Sequence, residues 1–119
     1  MKNKFLYLIF AITIYVSCKP TAKISLVPDQ ADEAAAKIKW SDADLAQLNS
    51  GYQIYTSNCG KCHGLHKPTE YDEARWTKIV PWMGKKAVMN EADQKLILHY
   101  LLAKREVLMA QHLKPKNSK

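Results

Sequence analysis

Five consecutive residues, Cys59-Gly60-Lys61-Cys62-His63, set two thiols and an imidazole within reach of one another. This C-x-x-C-H spacing is the attachment sequence for c-type haem. Two thiols separated by two residues can each add to one of the two vinyl groups on the same edge of a porphyrin, and the next residue then offers an axial imidazole to the iron. Three other readings compete for the same residues. A thioredoxin-like redox pair needs a strand before the motif, and what precedes it here reads as helix. A zinc site needs two further ligands, and His66 is the only nearby candidate. A disulfide across two residues is strained and gives the histidine no role. Haem attachment is the reading that uses every residue of the motif.

The chain that must position this motif has 119 residues and a formal net charge of +7. At roughly 100–200 residues per domain it holds one domain. A TIM barrel, which needs roughly 250 residues, is excluded. Apolar residues make up 47% and charged residues 24%, a globular composition rather than a disordered one.

The first segment reads as a signal. Lys2 and Lys4 precede an apolar run from Phe5 to Val16, closed by Ser17, which is the plan of a secretory signal over residues 1–17. The run is shorter than the roughly 20 residues a membrane span requires. Tyr15-Val16-Ser17-Cys18 resembles a bacterial lipoprotein box, with Tyr15 where leucine is usual, so Cys18 is expected to be lipidated and to become the mature N-terminus. One cysteine for lipid and two for thioethers account for all three in the chain. Residues 18–39 carry two prolines and no aromatic residue, and are expected to be a tether, with a short alanine-rich helix over Asp32–Lys39.

The folded domain is expected over residues 40–113, with a basic tail at 114–119. Ser41-Asp42-Ala43-Asp44 has the form of a helix capping box. Leu45, Leu48, Tyr52 and Tyr55 then recur on one helical face and lead to Cys59. Gly51 inside that helix costs about 1 kcal/mol relative to alanine, for which a close helix crossing is a sufficient motive. In Tyr71–Val80, residues Trp76, Ile79 and Val80 share a face, and Pro81 is expected to end the run. Asn90-Glu91-Ala92-Asp93 opens a last helix with Ile97, Tyr100 and Leu101 facing inward. No segment alternates with period two. The expected class is all-α, with three main helices around one haem.

Taken together, Gly51-x-x-x-Tyr55-x-x-x-Cys59-x-x-Cys62-His63-Gly64, then Met83, then Ile97-x-x-Tyr100-Leu101, resembles a class I cytochrome c domain over about Trp40–Arg105. Trp76-x-x-Ile79-Val80-x-x-Met83 resembles the small mono-haem cytochrome c lipoproteins of Bacteroidetes-type bacteria. The resemblance implies a cytochrome c-like fold, a crossing of the first and last helices near Gly51 and Tyr100, and one covalent haem c held through Cys59 and Cys62. His63 is then one axial ligand. Met83, 20 residues after His63 and expected on a loop, is the first candidate for the other. Met89, His99 and an open distal position remain as alternatives. Tyr52, Tyr55, Trp76, Ile79, Trp82, Ile97 and Leu101 are expected to wall the haem.

The implied activity is single-electron transfer by Fe(III)/Fe(II) cycling, in an exported carrier lipid-anchored on the periplasmic side of a bacterial membrane. Other redox proteins are its expected partners, with no small-molecule substrate. A haem enzyme or gas sensor with an open iron position is the rival. Lys61, Lys67, Lys85 and Lys86 either steer an acidic partner or form a solvated face. The basicity does not call for nucleic acid: the segment at 40–113 carries only +1, and the signal and tail hold most of the excess.

Overall fold

The computed structural model describes residues 25–114. Among the described residues lie four α-helices and one 3-10 turn: α1 (Gln30–Lys39), α2 (Leu45–Asn58), the turn Cys59–Lys61, α3 (Glu73–Lys86) and α4 (Glu91–Leu113). They contain no strand, so the all-α class is right; beside three main helices, the short helix expected over Asp32–Lys39 forms as α1, two residues longer at its start. The signal at 1–17, Cys18 and residues 115–119 lie outside the described residues.

What differs is the role of the expected tether, whose helix is packed into the domain. Asp29 caps α1 by accepting from the backbone N–H groups of Ala31 and Asp32, while the Asp32 carboxylate accepts from Asp29 N–H at 2.8 Å. This reciprocal pair satisfies donors that a helix start would otherwise leave bare. The helix packs against α4 through Ala36, which is fully buried in a cluster with Ala43, Leu48 and Ala103. Residues 26–39 are therefore part of the fold. Their small side chains gave no apolar stripe to read, yet small side chains are what allow two helices to approach closely.

Two helix boundaries also differ from expectation. The cap of α2 is Asp44, whose side chain accepts from Gln47 N–H at 2.7 Å; Ser41 sits in the preceding turn, closed by Ala43 N–H to the Trp40 carbonyl. Pro81 lies inside α3 and does not end it. Proline there deprives the Thr77 carbonyl of its helical donor. Thr77 and Pro81 are both exposed, so water can satisfy that carbonyl and the helix runs on to Lys86.

Helices α2 and α4 cross where Gly51 meets Leu96 and Tyr100. A Cβ on Gly51 would stand 2.1 Å from the Leu96 carbonyl oxygen and 3.0 Å from Tyr100 Cβ. Only the absence of a side chain permits that approach. Around it Tyr55, Trp76, Val80, Ile97, Tyr100, Leu101 and Leu102 form the main core. Beyond the crossing, Lys104 is buried and ion-paired with Asp32 at 2.5 Å.

Candidate functional site

Helix α2 ends on Cys59, and the chain turns at once through the 3-10 turn, so the five motif residues occupy the corner between a helix and a loop. Three side chains then pin that loop to the core by its carbonyl oxygens. Tyr55 O–H donates to His66 at 2.6 Å, Trp76 Nε1–H to Pro68 at 2.9 Å, and Arg105 Nε–H to Tyr71 at 3.1 Å. Tyr55 and Trp76 meet edge to face with centroids 6.4 Å apart, and Trp76 meets Tyr71 the same way at 5.1 Å.

The pinned loop, α2, α3 and the start of α4 line an open cleft. Its floor and walls come from Tyr55, Trp76, Ile79, Val80 and Ile97. Cys59, His63, His66, Met83 and Met89 line the same space, with Leu65 and Gly84 completing it. The cleft thus combines an almost wholly apolar wall with a thiol, two imidazoles and two thioethers.

Hydrogen bonds and burial act on the two imidazoles and the thiol. The His63 Nδ1 lies 2.8 Å from the Gly64 carbonyl. A carbonyl can only accept, so Nδ1 is the donor, and in the neutral imidazole that leaves Nε2 as the nitrogen with the lone pair, the arrangement a ligating histidine requires. His66 Nδ1–H donates to Glu70 Oε1 at 2.7 Å, and that contact is the main reason the Glu70 carboxyl lies below its usual range. Burial pushes the Cys59 thiol up, keeping it protonated and uncharged near neutral pH. Burial likewise pushes the Tyr55 hydroxyl far above its ordinary value.

Met83 occupies the last turn of α3, not the loop expected for it, and faces the cleft because α3 continues past Pro81. Met89 arrives by another device. Met89 N–H donates to the Gly84 carbonyl, and Val88 N–H to the Lys85 carbonyl, closing α3 with Val88 in the left-handed region at φ 54°. Gln94 Nε2–H then donates to the Met89 carbonyl at 2.9 Å. Gly84 makes room for it: a Cβ there would stand 2.5 Å from Gln94 Cδ.

Of the residues expected to wall the site, Tyr55, Trp76, Ile79 and Ile97 line the cleft, and Tyr52, Trp82 and Leu101 do not. Tyr52 packs edge to face on Tyr100 at 5.4 Å, behind the wall. Leu101 is fully buried in the core one layer deeper. Trp82 is 58% exposed, on the outer face of α3, with the Lys86 ammonium 3.9 Å above its ring. Cys62 is exposed and lies outside the cleft lining. His99 is remote from the cleft lining, buried and stacked on Trp40 at 3.7 Å, and burial with Lys95 nearby pushes its imidazole pKa down.

Sequence reasoning missed Leu65, His66, Val80 and Gly84 as cleft residues, and held Met89 only as an alternative ligand. One signal was available for the α3 pair. Trp76, Val80, Met83 and Gly84 recur at 4, 3 and 1 residue steps, a helical face that carries straight across Pro81.

Comparison of the chain with known protein families, curated proteins and solved structures returns no match. What fold and site define is an all-helical domain with a soft-donor apolar cleft at a C-x-x-C-H corner. No helix among the described residues is long and apolar enough to cross a membrane.

Proposed function

We propose that this chain is an exported, lipid-anchored mono-haem c-type cytochrome that carries single electrons between redox proteins. The observation that carries the reading is the convergence of Cys59, His63, Met83 and Met89 on one apolar cleft. The donors fit haem c: the Cys59 thiol in the cleft with Cys62 on the exposed side of the same turn, an imidazole, and a thioether on a separate helix. Cys59 and Cys62 would hold the group covalently, and His63 and Met83 would bind its iron. When bound, haem c supplies a one-electron Fe(III)/Fe(II) couple.

The residues of the chain do the rest. Gly64 fixes the His63 tautomer and ring orientation through its carbonyl. Tyr55 and Trp76 hold the loop at 66–68, so the motif keeps its position whichever charge the site carries. The apolar wall would shield a group seated against it from water, and a thioether ligand together with such shielding favours the reduced state. His99 is engaged with Trp40 and does not line the cleft, which favours a methionine over it as the second iron-binding residue. The export signal, the lipid on Cys18 and the periplasmic location belong to this proposal.

The test is expression with haem-attachment machinery, followed by oxidised, reduced and carbon-monoxide-treated visible spectra. A covalent haem spectrum is expected, lost in Cys59→Ser/Cys62→Ser. A colourless product refutes the reading. Rapid carbon monoxide binding by the unmodified protein would instead favour the haem enzyme or gas sensor with an open iron position.

A further inference from the structure

We infer that Asp32 and Lys104 become joined by an isopeptide bond that ties α1 covalently to α4; this goes beyond the proposed function and rests on neither its haem nor its lipid reading. The two side chains are 1% and 2% exposed, and Lys104 Nζ lies 2.5 Å from Asp32 Oδ2. They sit in a clamp that holds the chain before α1 against α4. In that clamp Tyr100 O–H donates to the Leu26 carbonyl at 3.0 Å, and Lys104 Nζ–H donates to the Val27 carbonyl at 2.9 Å. Asp32 Oδ2 also accepts Asp29 N–H at 2.8 Å, as one half of the reciprocal cap of α1. Amine and carboxyl are thus each held by a second contact, on opposite sides of the point where they meet.

The other carboxyl oxygen is what distinguishes this pair from an ordinary ion pair. Asp32 Oδ1 is buried and has no hydrogen-bond partner among the described residues. A bare polar atom in a dry site is costly, and a buried pair of ions recovers its desolvation only when every remaining lone pair is satisfied. Burial pushes the Asp32 carboxyl up in spite of the hydrogen bond and charge of Lys104, so an acid facing an amine, both neutral, lies within reach of the ion pair.

Condensation would remove the bare atom and leave every other contact in place. A proton passes from the ammonium to the carboxylate, and the freed Nζ lone pair attacks Asp32 Cγ. The Nζ–Cγ bond forms, the Cγ–Oδ1 bond breaks, and Oδ1 leaves as water. Of the three ammonium protons, two depart in that water and one stays on Nζ. Nothing is oxidised or reduced, and no co-reactant is consumed. The amide N–H keeps the Val27 carbonyl as its acceptor, and the amide oxygen Oδ2 keeps Asp29 N–H as its donor. All polar atoms of the link are then paired. Groups held in contact in this way react at effective molarities of about 10⁵–10⁸ M, and exclusion of water opposes the return by hydrolysis. The bond would close a ring across the 72 residue steps from Asp32 to Lys104, with α2, the C-x-x-C-H corner and α3 inside it. Any pull on the N-terminal segment would then pass straight into α4.

The experiment is tryptic digestion of the purified full chain in urea, after circular dichroism has shown it to be folded. Cleavage after Lys23, Lys37, Lys95 and Arg105 places Asp32 in peptide 24–37 and Lys104 in peptide 96–105. Most chains are expected to yield these two peptides as one species, about 18 Da lighter than their sum, which mass spectrometry with fragmentation assigns to an Asp32–Lys104 amide. Denaturant parts an ion pair and leaves an amide intact. Lys104→Arg keeps the cation but offers no amine, so its two peptides are expected to separate. Two free peptides from the folded wild-type chain overturn the inference, whether or not the variant folds. A link that persists in Lys104→Arg, or that maps to another pair of residues, overturns it as well.

Discussion

Gly51→Ala sets two physical arguments against each other. Alanine is the better helix former, so propensity alone predicts that the substitution stabilises α2 by about 1 kcal/mol. The crossing predicts the reverse. The new Cβ would stand 2.1 Å from the Leu96 oxygen and 2.6 Å from the Leu96 carbonyl carbon. Both are backbone atoms of α4 and cannot rotate aside, so the helices must part by about 1 Å, enough to forfeit a quarter to a half of each dispersion contact along the seam. Overpacking of this kind costs about 1–3 kcal/mol and occasionally more. Because the obstruction is backbone, the upper part of that range applies, and the net destabilisation after the propensity gain is about 1–2 kcal/mol. For a domain of this size that lowers Tm by about 5–15 °C. Thermal unfolding followed by circular dichroism measures it on the haem-free and haem-loaded forms alike. An alanine variant as stable as wild type would refute the crossing geometry.

Three further outcomes follow from particular contacts. Lys104→Met leaves the Asp32 carboxylate buried without its cation, at a cost of about 3–5 kcal/mol in urea unfolding at neutral pH. Burial already raises the Asp32 pKa, against the lowering effect of Lys104, and removing Lys104 raises it further; a raised carboxyl is protonated preferentially in the folded state, so the deficit is largest at neutral pH and shrinks as pH falls toward the carboxylate range, and a deficit independent of pH would contradict this. Val88→Gly relieves a β-branched residue at φ 54° that is 92% exposed and packs on little, so a gain of about 0.5–1 kcal/mol is expected after the entropic cost of glycine, measurable by thermal unfolding. In the haem-loaded protein, Met83→Ala is expected to abolish the weak long-wavelength ferric–thioether band while Met89→Ala retains it; the opposite pattern makes Met89 the ligand.

Legibility differed from residue to residue for reasons that lie in the kind of signal each carries. The run Cys59–His63 is contiguous, so its spacing could be read without any fold. The α4 start was legible because Asn90 and Asp93 form their cap within one turn. Pro81 misled because its effect depends on whether the freed carbonyl is wet, which is a property of the packed helix. The tether misled because Asp32 and Lys104 lie 72 residues apart and neither looks buried by type. Trp82 misled because an aromatic residue is apolar on either face, and only the rotation of α3 turns this one outward.

What the sequence determined alone is local chemistry: the two thiols and imidazole of the motif, the helical periods, the cap at Asn90, and the need for a close approach at Gly51. What the tertiary structure decided is which of these meet. It joined Met83 and Met89 to His63 across one cleft, removed His99 to a stack on Trp40, and drew residues 26–39 into the fold. The physical reason is that periodicity and capping are set within one or two turns of chain. The cleft and the clamp are set by contacts between residues tens of positions apart, whose burial exists only once the helices have packed.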